Sequence, residues 1–426
     1  MKRASDYGFS VQASGEENSR ALQRAVLGGG TILVDEPGDY RMRESVLLDD
    51  HTALFFGAGV RILREEYPGG NYLLVNRGAY ERRWNCDIRV EGLHIVTQGC
   101  CVQGRVQGQY LTHEHLIPGL RGQIAFFYVK RLVVRDYTCL DLPPADFGIH
   151  VCTFEDILLE NLHIEGRKDA VHLGRGRRFV IRHGLFRTYD DPIALNAHDY
   201  ATSNPQLGWI EDGLIEDCYD LDDADTVGYF CRILAGSWCD WREGMVVQHS
   251  DSVVSEGRVY RVLMRPDGTK YVSRTRPTHA SGEETLDGIR WVMVQEGEEH
   301  ECGCRRIHFR DIHLEKHRPV AFSVHFDHDD WSRSVYPGSV MPVQSQITFE
   351  HVYVQSEVPV FLRSITPMDT VRILHCDLPD TRIRLETLPG EAGRYPEARF
   401  LLCDNTYAGG GLPVDCEPGR AWTSAD

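Results

Sequence analysis

The chain has 426 residues, of which 42% are hydrophobic and 26% are charged. This composition is typical of a folded globular protein and excludes an intrinsically disordered chain. The formal net charge of −17 argues against nucleic acid or an anionic membrane as a general partner. No apolar run approaches the length that is needed to cross a bilayer.

The N-terminus carries basic residues at positions 2 and 3 without an apolar run behind them, so it does not resemble a secretory signal peptide. We therefore expect a cytoplasmic location. The 13 cysteines are odd in number and scattered, which predicts reduced, buried thiols rather than a disulfide framework. No cysteine pair has the spacing of a zinc site, and the sequence predicts neither a metal nor another cofactor.

The first element in chain order is a predicted helix over residues 18–26. Its apolar residues Ala21, Leu22, Ala25 and Val26 have helical spacing, and Asn18 or Ser19 is available as the N-cap. The glycines at 28–30 end it, and residues 31–34 then predict a strand. A helix here can cover the open edge of a first coil, which would otherwise invite edge-to-edge pairing.

A short pattern then recurs along the chain. Two β-forming residues one position apart are followed by a charged residue or His and then by Asp, Asn, Gly or His, although the last copy is weaker. The copies begin at Ile88, Leu132, Ile157, Phe179, Ile307, Ile347 and Val371. Alternation of apolar and polar residues indicates strands, and the Asx or Gly position supplies a sharp corner.

The copies that begin at Leu132, Ile157 and Phe179 follow one another at a near-constant interval. This interval lies within the range of about 20–50 residues that is typical of repeat architectures. A strand–corner–strand unit at this period predicts an all-β fold, a right-handed parallel β-helix, whereas a β-sandwich would not repeat one corner at a near-constant interval. We divide the chain into an N-terminal cap and first strand (1–45), coils (46–240 and 299–410), an inserted small β-domain (241–298) and a C-terminal tail (411–426).

Residues 21–42, which read "ALQRAV…GGTILVDEPGDYRM", resemble the opening signature of the pectate-lyase-like β-helix superfamily. This resemblance extends over about 5–60 and 85–240 and, more loosely, 300–380. It implies the β-helix fold. It also implies a carbohydrate as the partner, since the superfamily includes polygalacturonase-type glycoside hydrolases and many phage tailspikes.

The insertion resembles small β-modules with a "grlYrv…PThtsG…dGi.W" pattern that occur in carbohydrate-active and phage proteins. Tyr260 and Trp291 stand at its aromatic positions. Two interpretations remain open. These aromatic residues bind a glycan, or they anchor the core of a plain packed insertion.

The strongest candidate for chemistry is a set of three carboxylates. Asp191 follows Asp169 by the same interval that separates Phe179 from Ile157, and Asp190 stands one position earlier. This interval is one coil, so the three acids are expected on adjacent rungs of one face. Strands there lie about 4.8 Å apart, and such mutual repulsion should raise the pKa of at least one carboxyl. A protonated carboxyl beside ionised ones is what glycosidic cleavage requires.

This stretch resembles the catalytic region of polygalacturonases (glycoside hydrolase family 28), in which a "DG.D" strand is followed one coil later by "GDDCIA". The counterparts here are residues 169–172 (Asp-Ala-Val-His) and 189–194 (Tyr-Asp-Asp-Pro-Ile-Ala). The resemblance implies that Asp190 or Asp191 is the general acid. It also implies that the remaining acids, including Asp169, position and deprotonate water in an inverting hydrolysis.

The family pattern is incomplete. Its Asn-x-Asp start is replaced by 167–169 (Arg-Lys-Asp), its Gly-His-Gly turn has no clear match, and its Arg-Ile-Lys clamp for a uronate is missing. A pectic or uronate-containing oligo- or polysaccharide therefore stays one option among related glycans. Residues that could contact the substrate are His172, His198, Arg232, Trp331 and Arg333.

The sequence thus favours a glycosidase with Asp169, Asp190 and Asp191 as catalytic residues. Two other functions fit the same fold. One is a polysaccharide lyase or epimerase, and the other is a non-catalytic, tailspike-like glycan-binding module. Stacked Asp residues can also cap turns without any catalytic role. The sequence does not decide between a monomer and a homo-oligomer.

Overall fold

The computed structural model describes residues 1–101, 116–223 and 225–425. Its main feature is one parallel sheet of 27 strands in the described residues, in which each strand pairs with the equivalent strand one coil later. The chain winds from the N-terminus to its last residues as a parallel β-helix, which confirms the predicted fold class. No helix in the described ranges is long and apolar enough to cross a membrane.

The strands of the coils before the insertion are Lys2–Arg3, Gly30–Val34, Gly38–Met42, Val46–Leu48, Thr52–Phe56, Val60–Arg64, Leu74–Asn76, Asn85–Glu91, His94–Val96, Ile124–Leu142, Ile149–Gly166, Val171–Leu173, Gly176–Thr188, Ile193–Asn196, Ile210–Asp220 and Cys231–Leu234. The strands of the coils after it are Cys304–Leu314, Val320–His325, Ser345–Val354, Val360–Ser364, Thr370–Leu374, Asp377–Leu378, Ile383–Leu385, Ala398–Cys403, Thr406–Tyr407, Val414–Cys416 and Trp422–Ala425.

The repeat that the sequence shows is the repeat of the structure. Leu132 pairs with Ile157, and Ile157 pairs with Phe179, so each of these intervals is a single coil. The predicted corner positions all have positive φ angles near 50–75°: Gly92, Asp136, Asn161, His183, Asp311, His351 and His375. Gly, Asn and Asp tolerate this left-handed conformation best, which explains the recurring residue types.

A second corner lies just before each apolar strand and was not predicted. Its residues also have positive φ angles, and they alternate in charge from coil to coil: Asp87, Arg131, Asp156, Arg178, Asp212 and Arg306. Within this row the Arg side chains form ion pairs, with N–O distances of 2.6 Å for Arg131–Asp87 and for Arg178–Asp156. These pairs are exposed, so each adds little stability, but they match neighbouring coils in one register.

The N-terminal helix spans Gly15–Val26, so both predicted N-caps are wrong. Ser14 is the cap. Its hydroxyl accepts from the Glu17 backbone and Glu17 bonds back to the Ser14 backbone N–H, which is a capping box. Asn18 instead bonds the backbone of Ser10. The apolar face of the helix packs on the core of the first coil, as expected. The other helical segments are Ala4–Tyr7, Gly78–Glu81 and Ala392–Arg394.

Between Leu234 and Cys304 the chain leaves the coil. A five-stranded sheet forms from Cys239–Asp240, Ser252–Ser255, Arg258–Val262, Ile289–Glu296 and Glu283–Leu286. Two strand pairs flank it, namely Gly236–Ser237 with Glu301–Cys302 and Met245–Val247 with Tyr271–Ser273. Tyr260 and Trp291 are fully buried in the core of this sheet, so neither ring presents a surface to a glycan.

The final residues also follow the coil, where the sequence suggested only a polar tail. Val414–Cys416 pairs with Ile383–Leu385, and Trp422–Ala425 pairs with Ala398–Leu401, both in parallel. These last strands are short and mostly exposed. Their apolar pattern is therefore weak, which is why the sequence does not reveal them as strands.

One coil lacks the recurring sequence pattern because a glycine stands at its first core position. Gly213 lies between Phe179 and Ile307 in the ladder. A Cβ atom on Gly213 would lie 2.1 Å from Cζ of Phe179, so the Phe179 ring occupies the space of the missing side chain. The pattern is thus interrupted in the sequence although the coil continues in space.

We expect Gly213→Val to lower the free energy of unfolding by about 1–3 kcal/mol, because the added methyl groups overlap the Phe179 ring. Chemical denaturation measures the loss. Adding Phe179→Ala to Gly213→Val should recover part of it, and Gly410→Val, at a position with no neighbour within 4 Å, should be neutral. Equal stability of the Gly213 and Gly410 variants would contradict the packing argument.

Candidate functional site

Four neighbouring rungs build the site, on strands Ile149–Gly166, Val171–Leu173, Ile193–Asn196 and Cys231–Leu234. Val171 pairs with Ile193 one coil later. Asp169 and Asp191, each two residues before these partners, therefore stand one above the other. By the same register Asp190 stands beside Lys168, and the three predicted acids are brought together.

Asp169 is completely buried and is surrounded by cationic and hydrogen-bonding groups. His172 Nδ1 donates to its Oδ2 at 2.9 Å, Lys168 Nζ lies 3.3 Å from its Oδ1, and an Arg232 nitrogen lies 3.7 Å from its Oδ2. Burial alone would favour the neutral acid, but Lys168, His172 and Arg232 outweigh it and lower the pKa of Asp169 below its usual range. Asp169 is the ionised member of the cluster.

Asp191 is also buried but has a different environment. Its Oδ1 accepts from the Tyr229 backbone N–H at 2.8 Å, and its Oδ2 lies 2.9 Å from Arg232 Nε. Burial raises the pKa of Asp191 to about 8; Arg232 opposes this rise, and the carboxylates of Asp190 and Asp169 add to it. Asp191 therefore holds a proton at neutral pH, as the spacing of the acids predicted for one of them.

Asp190 differs from both because it reaches solvent, with a side chain that is 17% exposed. Lys168 Nζ contacts its Oδ2. The Thr188 hydroxyl donates to its backbone carbonyl at 2.8 Å, which fixes the turn before the strand. Of the three predicted acids, Asp190 is the one that a substrate can touch directly.

Arg232 links acids that belong to two neighbouring rungs. In the ladder of parallel strands, His172 pairs with Ala194, and Ala194 pairs with Arg232 one coil later. The small Ala194 side chain leaves space above it for the guanidinium, which approaches Asp169, Asp191 and Asp199 at 3.7, 2.9 and 3.9 Å. Burial would lower the pKa of Arg232, but the surrounding Asp carboxylates raise it well above its usual value.

A fourth carboxylate, Asp199, belongs to the same network. His172 Nε2 lies 3.5 Å from Asp199 Oδ2, so the imidazole bridges Asp169 and Asp199. Asn196 Nδ2 and the Tyr200 backbone N–H donate to Asp199 at 2.7 and 2.6 Å. The Phe147 ring stacks on the His172 ring, with a centroid distance of 4.0 Å, and keeps the imidazole in this orientation.

A cavity of about 420 Å³ opens onto this network. Its wall combines basic, acidic and aromatic side chains with smaller groups: Arg121, Arg167, Lys168 and Arg232; Asp190 and Asp199; Phe147, Tyr189 and Tyr200; Pro144, Ala145, Ser203 and Val227. Within the described residues, the carboxylates on the wall are Asp190 and Asp199. Asp169 and Asp191 lie behind them.

Three other predicted contact residues lie away from this cavity. His198 is buried beside Trp238, with a ring-centroid distance of 6.3 Å, at the start of the insertion. Trp331 is 39% exposed, and Arg333 pairs with Asp251 of the insertion at 3.0 Å. None of the three lines the cavity, whereas Arg232 lines it and His172 lies behind its wall.

Three residues of the cavity wall were not predicted from the sequence, namely Lys168, Asp199 and Arg121. Lys168 counted as a departure from a family pattern, although its one-coil interval to Asp190 already indicated an ion pair. Asp199 follows His198 on an irregular segment, where no periodic spacing relates it to the three acids. Arg121 lies two coils before Asp169, and no copy of the recurring pattern includes it.

Metal binding is the other chemistry that this cluster suggests. Asp169, Asp190 and Asp191 each place one oxygen within 4.8 Å of the others, a spacing that a cation with oxygen ligands could use. However, Lys168 and Arg232 already contact these carboxylates and supply positive charge there. The residues present fit an internally compensated acid cluster better than a metal centre.

Neither a protein-family model nor a curated protein matches the sequence. Solved structures do. A family 28 exopolygalacturonase from Yersinia enterocolitica is 12% identical over 99% of this chain and 77% of its own, with a TM-score of 0.53. The two chains share the fold, which in this protein is a parallel β-helix.

Two further similar structures differ in function. The Streptococcus pneumoniae surface protein and adhesin PfbA is 12% identical over 99% of both chains, with a TM-score of 0.45. The A-module of a mannuronan C-5 epimerase from Azotobacter vinelandii is 12% identical over 100% of both chains, with a TM-score of 0.38. At these identities the similarity concerns the fold alone, so function has to be argued from the site.

The raised pKa of Asp191 predicts a specific dependence of stability on pH. The folded protein keeps Asp191 neutral up to about pH 8, whereas the unfolded chain ionises it near its ordinary value of 3.8. The stabilising contribution of the neutral acid is therefore complete below pH 4 and is lost as the pH rises to 8. The free energy of unfolding of the wild type should therefore decrease between pH 4 and 8, relative to that of Asp191→Asn.

Urea denaturation of both proteins at several pH values between 4 and 9 measures this difference. The exposed variant Asp404→Asn is the control, and its curve should run parallel to that of the wild type. Parallel curves for the wild type and Asp191→Asn between pH 4 and 8 would show that Asp191 is not held protonated.

Proposed function

We propose that this protein is a glycoside hydrolase whose acid and base are the two carboxylates on the cavity wall, Asp190 and Asp199. One observation carries this proposal. The two buried acids behind the wall carboxylates differ in protonation state: Asp191, behind Asp190, is protonated, and Asp169, behind Asp199, is ionised. Glycosidic hydrolysis needs such a pair, a proton donor for the leaving oxygen and a base for water.

On the acid side, Asp191 stores the proton and Asp190 delivers it. The two are adjacent in sequence, and their nearest oxygens lie within 4.8 Å. In the resting site Lys168 binds Asp190. An acidic group on the substrate would attract the Lys168 ammonium, and Asp190 would then pass the proton from Asp191 to the glycosidic oxygen as the bond to the anomeric carbon breaks.

On the base side, Asp199 takes a proton from water as the water oxygen bonds to the anomeric carbon. His172 Nε2 faces Asp199, and the Asp169 carboxylate that binds Nδ1 holds the imidazole in this orientation. We propose inversion at the anomeric carbon, with the attacking water on the Asp199 side. Proton NMR of the first anomer released distinguishes inversion from retention.

We further propose that the substrate is an acidic saccharide, such as one that contains a uronate. Four basic side chains line the cavity in a protein of net charge −17. Arg121 is 6% exposed, and its guanidinium donates to the Ala145 carbonyl and the Ser203 hydroxyl at 2.5 and 3.3 Å. It forms no ion pair with a carboxylate in the described ranges, so a substrate carboxylate would supply the missing partner.

A hydrolysis screen over acidic and neutral oligosaccharides tests the activity. We expect Asp190→Asn, Asp191→Asn and Asp199→Asn each to lower kcat by about 10²–10⁴, because each removes a proton donor or acceptor. Asp169→Asn should lower it as well. Asp251→Asn is the matched control, since Asp251 is also a buried, ion-paired acid but lies outside the cavity.

Two results would contradict the hydrolase. In the first, every glycan that the wild type cleaves is still cleaved at the normal rate by all of the cavity variants. In the second, products carry the ultraviolet absorbance of an unsaturated uronate, which identifies a lyase on the same acid cluster.

The alkaline limb of the pH dependence of kcat should lie near pH 8, where Asp191 loses its proton. Activity that is constant from pH 7 to 10 would contradict the assignment of the acid.

The acidic-substrate proposal has its own test. Arg121→Gln should raise KM for a uronate-containing substrate about tenfold or more, because a charge-assisted hydrogen bond is lost. It should change KM for a neutral analogue little. Arg131→Gln, an exposed corner arginine paired with Asp87, serves as the control. An equal effect of Arg121→Gln on both substrates would contradict a role in seating the acid.

A further inference from the structure

A second cavity, of about 610 Å³, lies where the insertion meets the coil. The coil supplies Arg82, Trp84, Tyr128, Thr153, Arg175 and Gln206, and the insertion supplies residues 280–282, Met293, Gln295 and Glu296. It shares no lining residue with the first cavity. Residues 197–208 connect the two, because Asp199 lines the first cavity and Gln206 lines the second.

Two aromatic rings form the apolar part of this second cavity. Trp84 and Tyr128 meet edge to face with a centroid distance of 5.5 Å, and Lys130 Nζ lies 4.3 Å from the Trp84 ring centroid. Aromatic rings with a few fixed polar groups are typical of ligand sites, and an amphipathic ligand such as a sugar suits them. The aromatic surface thus comes from the coil and not from the insertion.

A chain of hydrogen bonds fixes the polar part. The Thr153 hydroxyl donates to Gln206 Oε1 at 2.6 Å, and Gln206 Nε2 donates to the Tyr128 hydroxyl oxygen at 2.6 Å. The Tyr128 oxygen accepts in this bond, so its own O–H is left to donate to a ligand. This arrangement preorganises a donor beside the aromatic surface.

The cavity also contains two guanidinium groups without an acidic partner. Arg82 donates to the Val294 carbonyl at 2.9 Å, and Arg175 follows the strand Val171–Leu173. Neither forms an ion pair with a carboxylate in the part of the chain that the structure describes, although Glu296 also lines the cavity. Unpaired arginines beside fixed donors favour a ligand with an acidic group.

The wall that the insertion contributes is firmly attached to the coil. The buried Gln295 side chain accepts from the Leu207 N–H and donates to the Leu207 carbonyl, both at 2.8 Å. Together with the bond from Arg82 to Val294, this contact fixes the strand Ile289–Glu296 against residues 197–208. The cavity is therefore a built feature of the packed interface.

We propose that this second cavity binds an acidic oligosaccharide at a site separate from the catalytic one. Trp84 and Tyr128 carry the sugar ring, Tyr128 donates to a hydroxyl, and Arg175 pairs with the acidic group. The choice of a saccharide rests on the proposed function, whereas the acidic character rests on the cavity itself. The insertion then serves to close a binding site on the coil.

Calorimetric titration of Asp191→Asn, in which turnover is expected to be slow, tests this site. The probes are trigalacturonate and triguluronate as acidic trisaccharides and cellotriose as the neutral counterpart. We expect an acidic probe to bind at two sites, and we expect Trp84→Ala or Arg175→Gln to weaken one of them at least tenfold. Ser281→Trp, which fills the cavity from an exposed loop position, should have the same effect without altering the coil.

The matched controls are Trp331→Ala and Arg177→Gln, an exposed tryptophan and a nearby arginine that both lie outside the cavity. Both should leave the titration unchanged. The proposal is overturned if the three cavity variants bind like the controls or if neither acidic probe binds. Equal binding of cellotriose would overturn the acidic assignment. The three cavity substitutions, introduced without Asp191→Asn, should leave the rate of hydrolysis within twofold of the wild-type rate. Failure of the proposed function is therefore detected separately from failure of this binding site.

Discussion

The parallel backbone ladder is the constraint on which the rest of the structure depends. Because every strand pairs with its equivalent one coil later, residues separated by one coil become neighbours at the strand spacing of about 4.8 Å. At the site one coil leads from Val171 to Ile193, which places Asp191 on Asp169 and Asp190 on Lys168. The same rule produces the alternating ion pairs of the outer corner and the apolar stacks inside. Site, surface and core therefore all follow from one register.

This register places acids in a largely buried region, where ionised carboxylates are most unfavourable. The groups that compensate their negative charge determine how the site is built. Asp169, Asp190, Asp191 and Asp199 converge with two permanent cations, Lys168 and Arg232, in a largely buried region. Four ionised carboxylates would exceed the local positive charge by two, which low-dielectric surroundings disfavour. Protonation of Asp191 halves this excess. The proton that the proposed hydrolysis needs is thus present because burial disfavours a fourth negative charge in this cluster.

The sequence was sufficient for the fold and for the acid cluster, since both depend on periodicity. Corner residues from Gly92 to His375 and the one-coil interval of the acids are visible in a single sequence. What it could not show depends on side chains that fill space for one another. Gly213 hides a coil because the Phe179 ring takes its place, and Ala194 admits Arg232 because it is small.

Contacts between residues that are far apart in the sequence could not be predicted from it either. Arg121 reaches the cavity from two coils before Asp169, and Asp199 reaches it from the segment that follows the strand Ile193–Asn196. His198, its neighbour, points into the buried start of the insertion. Adjacent residues on an irregular segment have no fixed periodicity, so no spacing rule distinguishes the residue that lines the cavity from the one beside it.

The contrast between the whole surface and the two cavities bears on the size of the ligand. The protein carries 63 acidic and 46 basic residues, yet both cavities present arginines. At physiological ionic strength charges interact over a Debye length of about 8 Å. A long acidic polymer lying on the surface would bring many of its charges within that distance of an acidic exterior. A short chain or a chain end, by contrast, would meet mainly the basic cavity wall. For the proposed hydrolase, the electrostatics of the site therefore favour action at chain ends, or on short acidic oligosaccharides, over cleavage within a polymer.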